Sequence, residues 1–460
     1  MRGKKIFAVL IAIVVVAAAA FGALAWRREI PAQQIATNFD PTLIAHGRAL
    51  AALGNCIACH TVPGGKAFAG GLAVPTPFGT IYSTNITPDP ETGIGTWTEA
   101  AFGRAMREGV DRKGRHLYPA FPYDHFTLVT DEDNSALYAF LMTREPVKSE
   151  PRANELVFPL QFRPFVAAWK LLFLSSGPFQ PDLSRDETWN RGAYLARGLG
   201  HCGACHTPRN RLGAEDKARR FSGGEAEGWQ AYAIDQSSHT PIPWDRESMA
   251  FYLRHGWHEL HGVSRGPMAE VTGNLSALPD SDIDAIAAYV VDGMGAPDAE
   301  RKAAADRLRR EIGAGRGASS TENGTQVSAA PHEDMPGAAI YAAACATCHE
   351  SGRPPPYGGL DFRLSTAVNA PNPQNIINVT LFGLPPADGE ASPVMPSFAG
   401  ALSDHQIADL LAYMRARFSG REPWQGVAEM ARRTRSGEYK VLVRPAEGIE
   451  RAPVNVGAED

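Results

Sequence analysis

The chain has 460 residues, which by length alone suits about three domains. With 44% hydrophobic and 21% charged residues it has the balance of globular domains with real cores. A formal net charge of −5 argues against nucleic acid as a partner and provides no strong steering field.

At the amino terminus Arg2, Lys4 and Lys5 precede an uncharged apolar run, Ile6 to Ala25, and Arg27 and Arg28 follow it. About 20 residues at about 1.5 Å each span about 30 Å, one hydrocarbon core. Two readings compete over residues 1–30. A cleaved signal peptide fits the basic start and the A-x-A sequence Ala23-Leu24-Ala25. The run is longer than the roughly 7–15 residues of a signal core, which favours a retained signal anchor with its amino end cytoplasmic. Either reading sends the remaining chain across the membrane.

The first C-x-x-C-H is Cys56-Ile57-Ala58-Cys59-His60; it recurs at Cys202 to His206 and at Cys345 to His349. This spacing is that of c-type haem attachment. Two thiols on one helical turn each bond one vinyl-derived carbon of a porphyrin, and the adjacent His lies under the iron. The three motifs use all 6 cysteines, so none is left for a disulfide. A zinc site wants about four ligands, and each motif supplies three with no second C-x-x-C nearby. A thioredoxin-like pair would want a βαβ context, which is missing here. We therefore expect three covalently bound haems c, on Cys56, Cys59, Cys202, Cys205, Cys345 and Cys348, with His60, His206 and His349 as proximal ligands.

Each motif follows a helix that carries a glycine: Gly47 after Asp40-Pro41, Gly192 after Asp186, and Gly337 after Asp334. Asp40 suits an N-cap and Pro41 the first helical position. A glycine at this place lets a second helix cross closely. That partner closes each repeat. Thr130-x-x-Asp133 leads into Leu137 and Leu141, Asp280 or Ser281 into Ile283 and Ile286, and the capping box Ser403-x-x-Gln406 into Ile407 and Leu411. Tyr138, Tyr289 and Tyr413 are expected at matching places. First and last helices crossing at a glycine, with haem between, is the cytochrome c arrangement. The expected fold is thus mainly α, three tandem cytochrome c-type haem domains behind one N-terminal transmembrane helix. Their expected limits are 39–145, 185–298 and 334–420.

For the distal ligands, Met268 in Gly266-Pro267-Met268 and Met395 in Val394-Met395-Pro396 are expected on loops ahead of the last helix. A thioether opposite His raises the potential. In the first repeat Phe121 stands, within one position, where Met268 stands, and a phenyl ring cannot bind iron. Met106, His116 and His125 are the candidates there. Met106 is as far from Cys56 as Met395 is from Cys345 and is the first choice; His125 is the alternative, followed by an open site.

The apolar connector, 146–184, contains Phe162 to Leu174. An interfacial membrane helix, a helix packed between domains and a docking surface for another subunit all fit, with interdomain packing favoured. The stretch 299–333 begins helical and charged, then turns to Gly, Ser, Thr and Asn. It reads as a flexible linker from which the third domain hangs separately. A tail, 421–460, carries Arg432, Arg433 and Arg435 and no chemistry. No nucleotide loop or H-E-x-x-H occurs.

Three phrases beside the motifs, Asn85-Ile86-Thr87-Pro88-Asp89, Arg115 to Ala120 and Gly262 to Met268, complete a resemblance. The chain resembles the membrane-bound three-haem cytochrome c subunits of bacterial periplasmic dehydrogenases for alcohol, gluconate and aldehyde. That resemblance implies electron transfer from a catalytic dehydrogenase subunit of molybdenum, flavin or pyrroloquinoline quinone type. Its acceptor would be ubiquinone or a terminal oxidase. It implies a place on the bacterial cytoplasmic (inner) membrane, haem domains on the periplasmic side. Tyr118 to Phe126 is similar to the cytochromes beside molybdenum-containing aldehyde or N-heterocycle oxidoreductases. The alternative from another class is a haem enzyme, such as a peroxidase, that uses a vacant first haem.

Overall fold

The structure is a computed structural model; it describes residues 2–34, 38–318, 332–386 and 391–438. It is mainly helical and divides into two compact units. Unit 1 holds Met1–Asp186, Ala193–Ala204 and Asn210–Ala214, and unit 2 holds Glu187–Gly192, Cys205–Arg209 and Glu215–Asp460.

Unit 1 begins with α1 (Arg2–Ala25) and continues with α2 (Pro41–Leu53), α3 (Cys56–His60), α4 (Glu99–Glu108), α5 (Tyr123–Phe126), α6 (Asp131–Met142) and α7 (Phe165–Phe173). A small antiparallel sheet orders β1 (Ala73–Thr76), β2 (Gly79–Tyr82) and β3 (Glu155–Leu156). The caps form as the sequence directs. Asp40 accepts the Thr42 N–H, with Pro41 in the first turn, and Thr130 accepts the Asp133 N–H.

The assignment to units changes within α8 (Glu187–Arg197) and α9 (Gly203–His206). Unit 2 then contains the hairpin of β4 (Gly224–Ala226) and β5 (Trp229–Ala231), followed by α10 (Arg246–His255), α11 (Pro267–Leu275), α12 (Asp280–Met294) and α13 (Ala299–Ala318). The third repeat supplies α14 (Pro336–Ala344), α15 (Ala346–His349), α16 (Thr366–Asn369), α17 (Gln374–Phe382), α18 (Asp404–Ser419) and α19 (Val427–Arg435). Ser403 and Gln406 form the expected capping box on α18.

The glycine crossing recurs in all three repeats. A Cβ on Gly47 would lie 1.9 Å from the Ala136 carbonyl oxygen, one on Gly192 1.9 Å from that of Ala285, and one on Gly337 2.1 Å from that of Asp409. Only a hydrogen fits at such a contact, so the glycines set how closely the first and last helices cross. The contacts also correct a register. One helical turn on from Ala136, Ala285 and Asp409 stand Phe140, Tyr289 and Tyr413, so Phe140 rather than Tyr138 is the match in the first repeat.

The stretch 299–333 is helical through Ala318, and residues 319–331, which hold most of its Ser, Thr and Asn, lie outside those described. Two other expectations change. Ala305 and Ile312 of α13 are buried with Ile242 of the second repeat and Leu364 of the third. The third repeat is not hung separately: the Asn375 side chain accepts the Gln230 N–H at 2.8 Å and donates to the Gln230 carbonyl at 2.9 Å. The Asn378 side chain donates to the Gly228 carbonyl at 2.9 Å. The tail begins as core. Val427 and Ala431 of α19 are buried in one cluster with Ile377, Leu381, Ile407 and Leu411. The apolar connector is half covered: Val166, Ala167 and Lys170 are buried in unit 1, but Leu171 and Leu172 are exposed.

Candidate haem sites

Each C-x-x-C-H forms a single helical turn ending at its His. The three histidines then share one arrangement. Nδ1 of His60 donates to the Thr84 carbonyl at 2.6 Å, Nδ1 of His206 to that of Tyr232 at 2.6 Å, and Nδ1 of His349 to that of Leu360 at 2.8 Å. A proton on Nδ1 leaves the Nε2 lone pair for a metal and fixes the ring plane. Burial pulls all three imidazoles below their ordinary pKa, which keeps them neutral, the state that binds iron. The ring of His349 also stacks on Phe362, with centroids 4.0 Å apart, and Gly359 makes room, since a Cβ there would sit 2.6 Å from Nδ1. Burial, helped by the neighbouring thiol, pushes Cys56 up to about 12 and Cys345 up to about 11, so both remain thiols.

On the distal side a common landmark appears. The helices α4, α10 and α17 end at Gly109, Gly256 and Gly383, each at positive φ. Phe121, Met268 and Met395 lie equally far beyond those glycines. Met268 is in the first turn of α11 rather than on a loop, with Gly266 as its N-cap. Met395 lies on a loop and pairs backbone to backbone with Leu384. Both methionines are half-buried. In the first repeat the Phe121 ring packs on Phe126 at 5.3 Å.

The three candidates for that haem differ in what they have free. His116 is buried; its Nε2 donates to the Ala25 carbonyl at 2.9 Å and its Nδ1 accepts from Lys170 at 3.1 Å, so neither ring nitrogen is available. Nδ1 of His125 is bound to the Arg197 carbonyl at 2.8 Å. Met106 is buried on α4, in the helical place that Leu253 takes on α10.

The surroundings fit haem. Beside Met268 the Trp229 indole packs on Gly266, where a Cβ would lie 2.5 Å from the ring. Its buried Nε1–H has no protein acceptor among the described residues. A buried donor without a partner is costly, and a porphyrin carboxylate is the kind of acceptor that would relieve it. Thr84, Tyr232 and Leu360 leave no mark in the sequence as positioning groups, because they act through backbone carbonyls and any residue type could stand there. The shared offset from a helix-ending glycine is a sequence signal that could have found the distal register.

Known proteins are similar to these parts and to the whole. Residues 44–145 match the family described as "Cytochrome c", and residues 332–414 match "Cytochrome C oxidase, cbb3-type, subunit III". A nicotinate dehydrogenase subunit of Pseudomonas putida is 44% identical over 90% of this chain, which spans 34% of that longer relative. The gluconate 2-dehydrogenase cytochrome c subunit of Pantoea cypripedii is 35% identical over 82% of the chain and 86% of its own length. The fructose dehydrogenase cytochrome subunit of Gluconobacter japonicus is 34% identical over 90% of the chain and 87% of its own length. Cytochrome c domains imply covalently bound haem c. Through the last two relatives, with their near full-length similarity, the chain belongs to the family of cytochrome c subunits of dehydrogenases.

Proposed function

We propose that this subunit holds three haems c in tandem domains and passes electrons from a catalytic dehydrogenase subunit to ubiquinone or a terminal oxidase. The observation that carries the reading is the threefold arrangement in which an imidazole ends a C-x-x-C-H turn with Nδ1 bound to a backbone carbonyl. Bound there, haem c supplies a one-electron couple. The residues do the rest. His60, His206 and His349 offer neutral Nε2 atoms in fixed orientations. Met268 and Met395 stand at one register as distal thioethers, which leave substrates no place on iron and raise the potential. Nicotinate is an N-heterocycle, so the similarity to the nicotinate dehydrogenase subunit favours a molybdenum-containing N-heterocycle or aldehyde oxidoreductase as donor. We take α1 as a retained anchor in the bacterial inner membrane, with the haem domains periplasmic. Mild-detergent purification from native membranes tests this: three haems per chain and a co-purifying molybdenum protein are expected. A chain with fewer haems, or with no dehydrogenase in any detergent, would sink it.

Phe121 favours a second reading for the first haem. No thioether stands at its register, His116 has no free nitrogen, and Met106 takes the place of Leu253, which leaves His125, its Nδ1 on a carbonyl as in the proximal histidines, as the imidazole candidate. If His125 does not reach the iron, the distal face is accessible. Carbon monoxide should then bind about one haem in three. If none binds, Met106 or His125 is the ligand. Peroxide turnover at that haem would make the subunit an enzyme as well as a carrier.

A further inference from the structure

Unit 1 bears an apolar surface that electron transfer does not use. Helix α7 has two faces. Val166, Ala167 and Lys170 are buried, whereas Phe165, Leu171 and Leu172 are exposed, the leucines at 70% and 68%. The turn leading into it adds Val157, Phe158 and Phe162, with Phe158 at 78% exposure. The inward face is locked. The Lys170 ammonium donates to the Glu108 carbonyl at 2.5 Å, the Gly109 carbonyl at 2.6 Å and His116 Nδ1 at 3.1 Å. Rolling the leucines inward would strip the buried Lys170 nitrogen of its hydrogen-bond partners, so the apolar face is held outward. A contiguous patch of this kind marks an interaction site.

What covers it follows from α1. The segment Lys5–Ala25 has the length and composition of a membrane span and is not buried against the protein. Its Phe21 ring lies 5.8 Å from the Phe165 ring, so α7 begins beside the last turn of the span. Phe21 is about 6 Å along the axis from Ala25 at about 1.5 Å per residue. Amphipathic helices lie about 5–10 Å into the boundary between headgroups and acyl chains, the same depth. The chain after the span is strapped to the first repeat, which fixes this height. His116 donates to the Ala25 carbonyl, Arg104 to that of Arg28 at 2.7 Å, and the Ile30 N–H to that of Arg112 at 2.8 Å. The Gln33 N–H reaches the Thr96 carbonyl at 3.1 Å.

We infer that α7 and the turn before it form a second membrane contact, lying in the headgroup–acyl boundary with the face of Phe165 and Leu172 in lipid. The occupant is the phospholipid bilayer, and the inference rests on reading α1 as a retained span. The test uses the full-length haem protein in vesicles of phosphatidylethanolamine and phosphatidylglycerol. These are doped with a phospholipid whose acyl chain carries a diazirine near its glycerol end. After irradiation, mass spectrometry should find label on α1 and on the 157–174 peptide. The variant Leu171→Glu with Leu172→Glu should lose the second label, keep the first and keep its haem spectrum. Label confined to α1 overturns the inference and leaves the anchor standing. Label on 157–174 without α1 supports the surface and overturns the span. Cross-linking of 157–174 to another subunit of the purified complex, with no lipid label, overturns the lipid assignment.

Discussion

In the second and third repeats, Met268 and Met395 stand beyond a helix-ending glycine at the place where the first repeat puts Phe121. On the proximal side the three repeats agree, each with a neutral imidazole whose Nδ1 is held by a carbonyl. The two sides are specified by different means. Each imidazole is oriented by a backbone carbonyl, which a change of side chain leaves in place. On the proposed ligation the distal side rests on one side chain, so one substitution would change the chemistry while the frame stays.

The strongest way to break that comparison is to remove haems one at a time. Cys56→Ala with Cys59→Ala should cost about a third of the covalent haem, measured on denatured protein, and all carbon monoxide binding. Cys345→Ala with Cys348→Ala should cost the same haem and leave carbon monoxide binding intact. Equal losses in both variants would erase the distinction between the repeats. Phe121→Met sharpens it from the other side. A thioether at the shared register should raise the first haem's potential by a sizeable part of the about 0.8 V that axial ligands command, and end its carbon monoxide binding. Redox titration of that variant gives the answer, with no shift as the contrary result.

A smaller effect separates unit 1 from unit 2 by pH. Burial pushes Lys170 down to about 7, below its ordinary value near 10.4. The unfolded chain therefore holds a proton that the folded one sheds between those values, and stability rises with pH across that window. Between pH 7 and pH 9 unit 1 should gain on the order of 2 kcal/mol from this group. Denaturant unfolding of the wild type and Lys170→Met at both pH values should differ in slope by that amount; parallel slopes would refute it. The smallest effect tests unit 2 from within. Asn375→Ala removes both bonds to Gln230 and should cost about 1–3 kcal/mol, read as a lower unfolding midpoint with the haem spectra unchanged.

How much of this is legible in the sequence depends on whether the physics resides in side-chain identity. The C-x-x-C-H turns, the caps at Asp40 and Ser403, and the crossings at Gly47, Gly192 and Gly337 need particular residues, and the sequence displays them. Thr84, Tyr232 and Leu360 serve through carbonyls, so nothing at those positions announces them. Tyr138 shares its residue type with Tyr289 and Tyr413, but the contact selects by distance from the crossing, which picks Phe140. The docking of the helices at 299–318 and at Val427–Arg435 escapes for another reason. Their polar composition suggests solvent, yet a few apolar residues, Ala305, Ile312 and Ala431, suffice to dock them.

The bond from His116 to Ala25 carries one more meaning. Ala25 ends the sequence that a leader peptidase would recognise. Cutting after it would take away the acceptor of a buried N–H, a loss of about 1–3 kcal/mol, and send that carbonyl off with the departing leader. If α1 is the export signal, it is then also a building block of the first repeat, which would complete itself only while still attached to that segment.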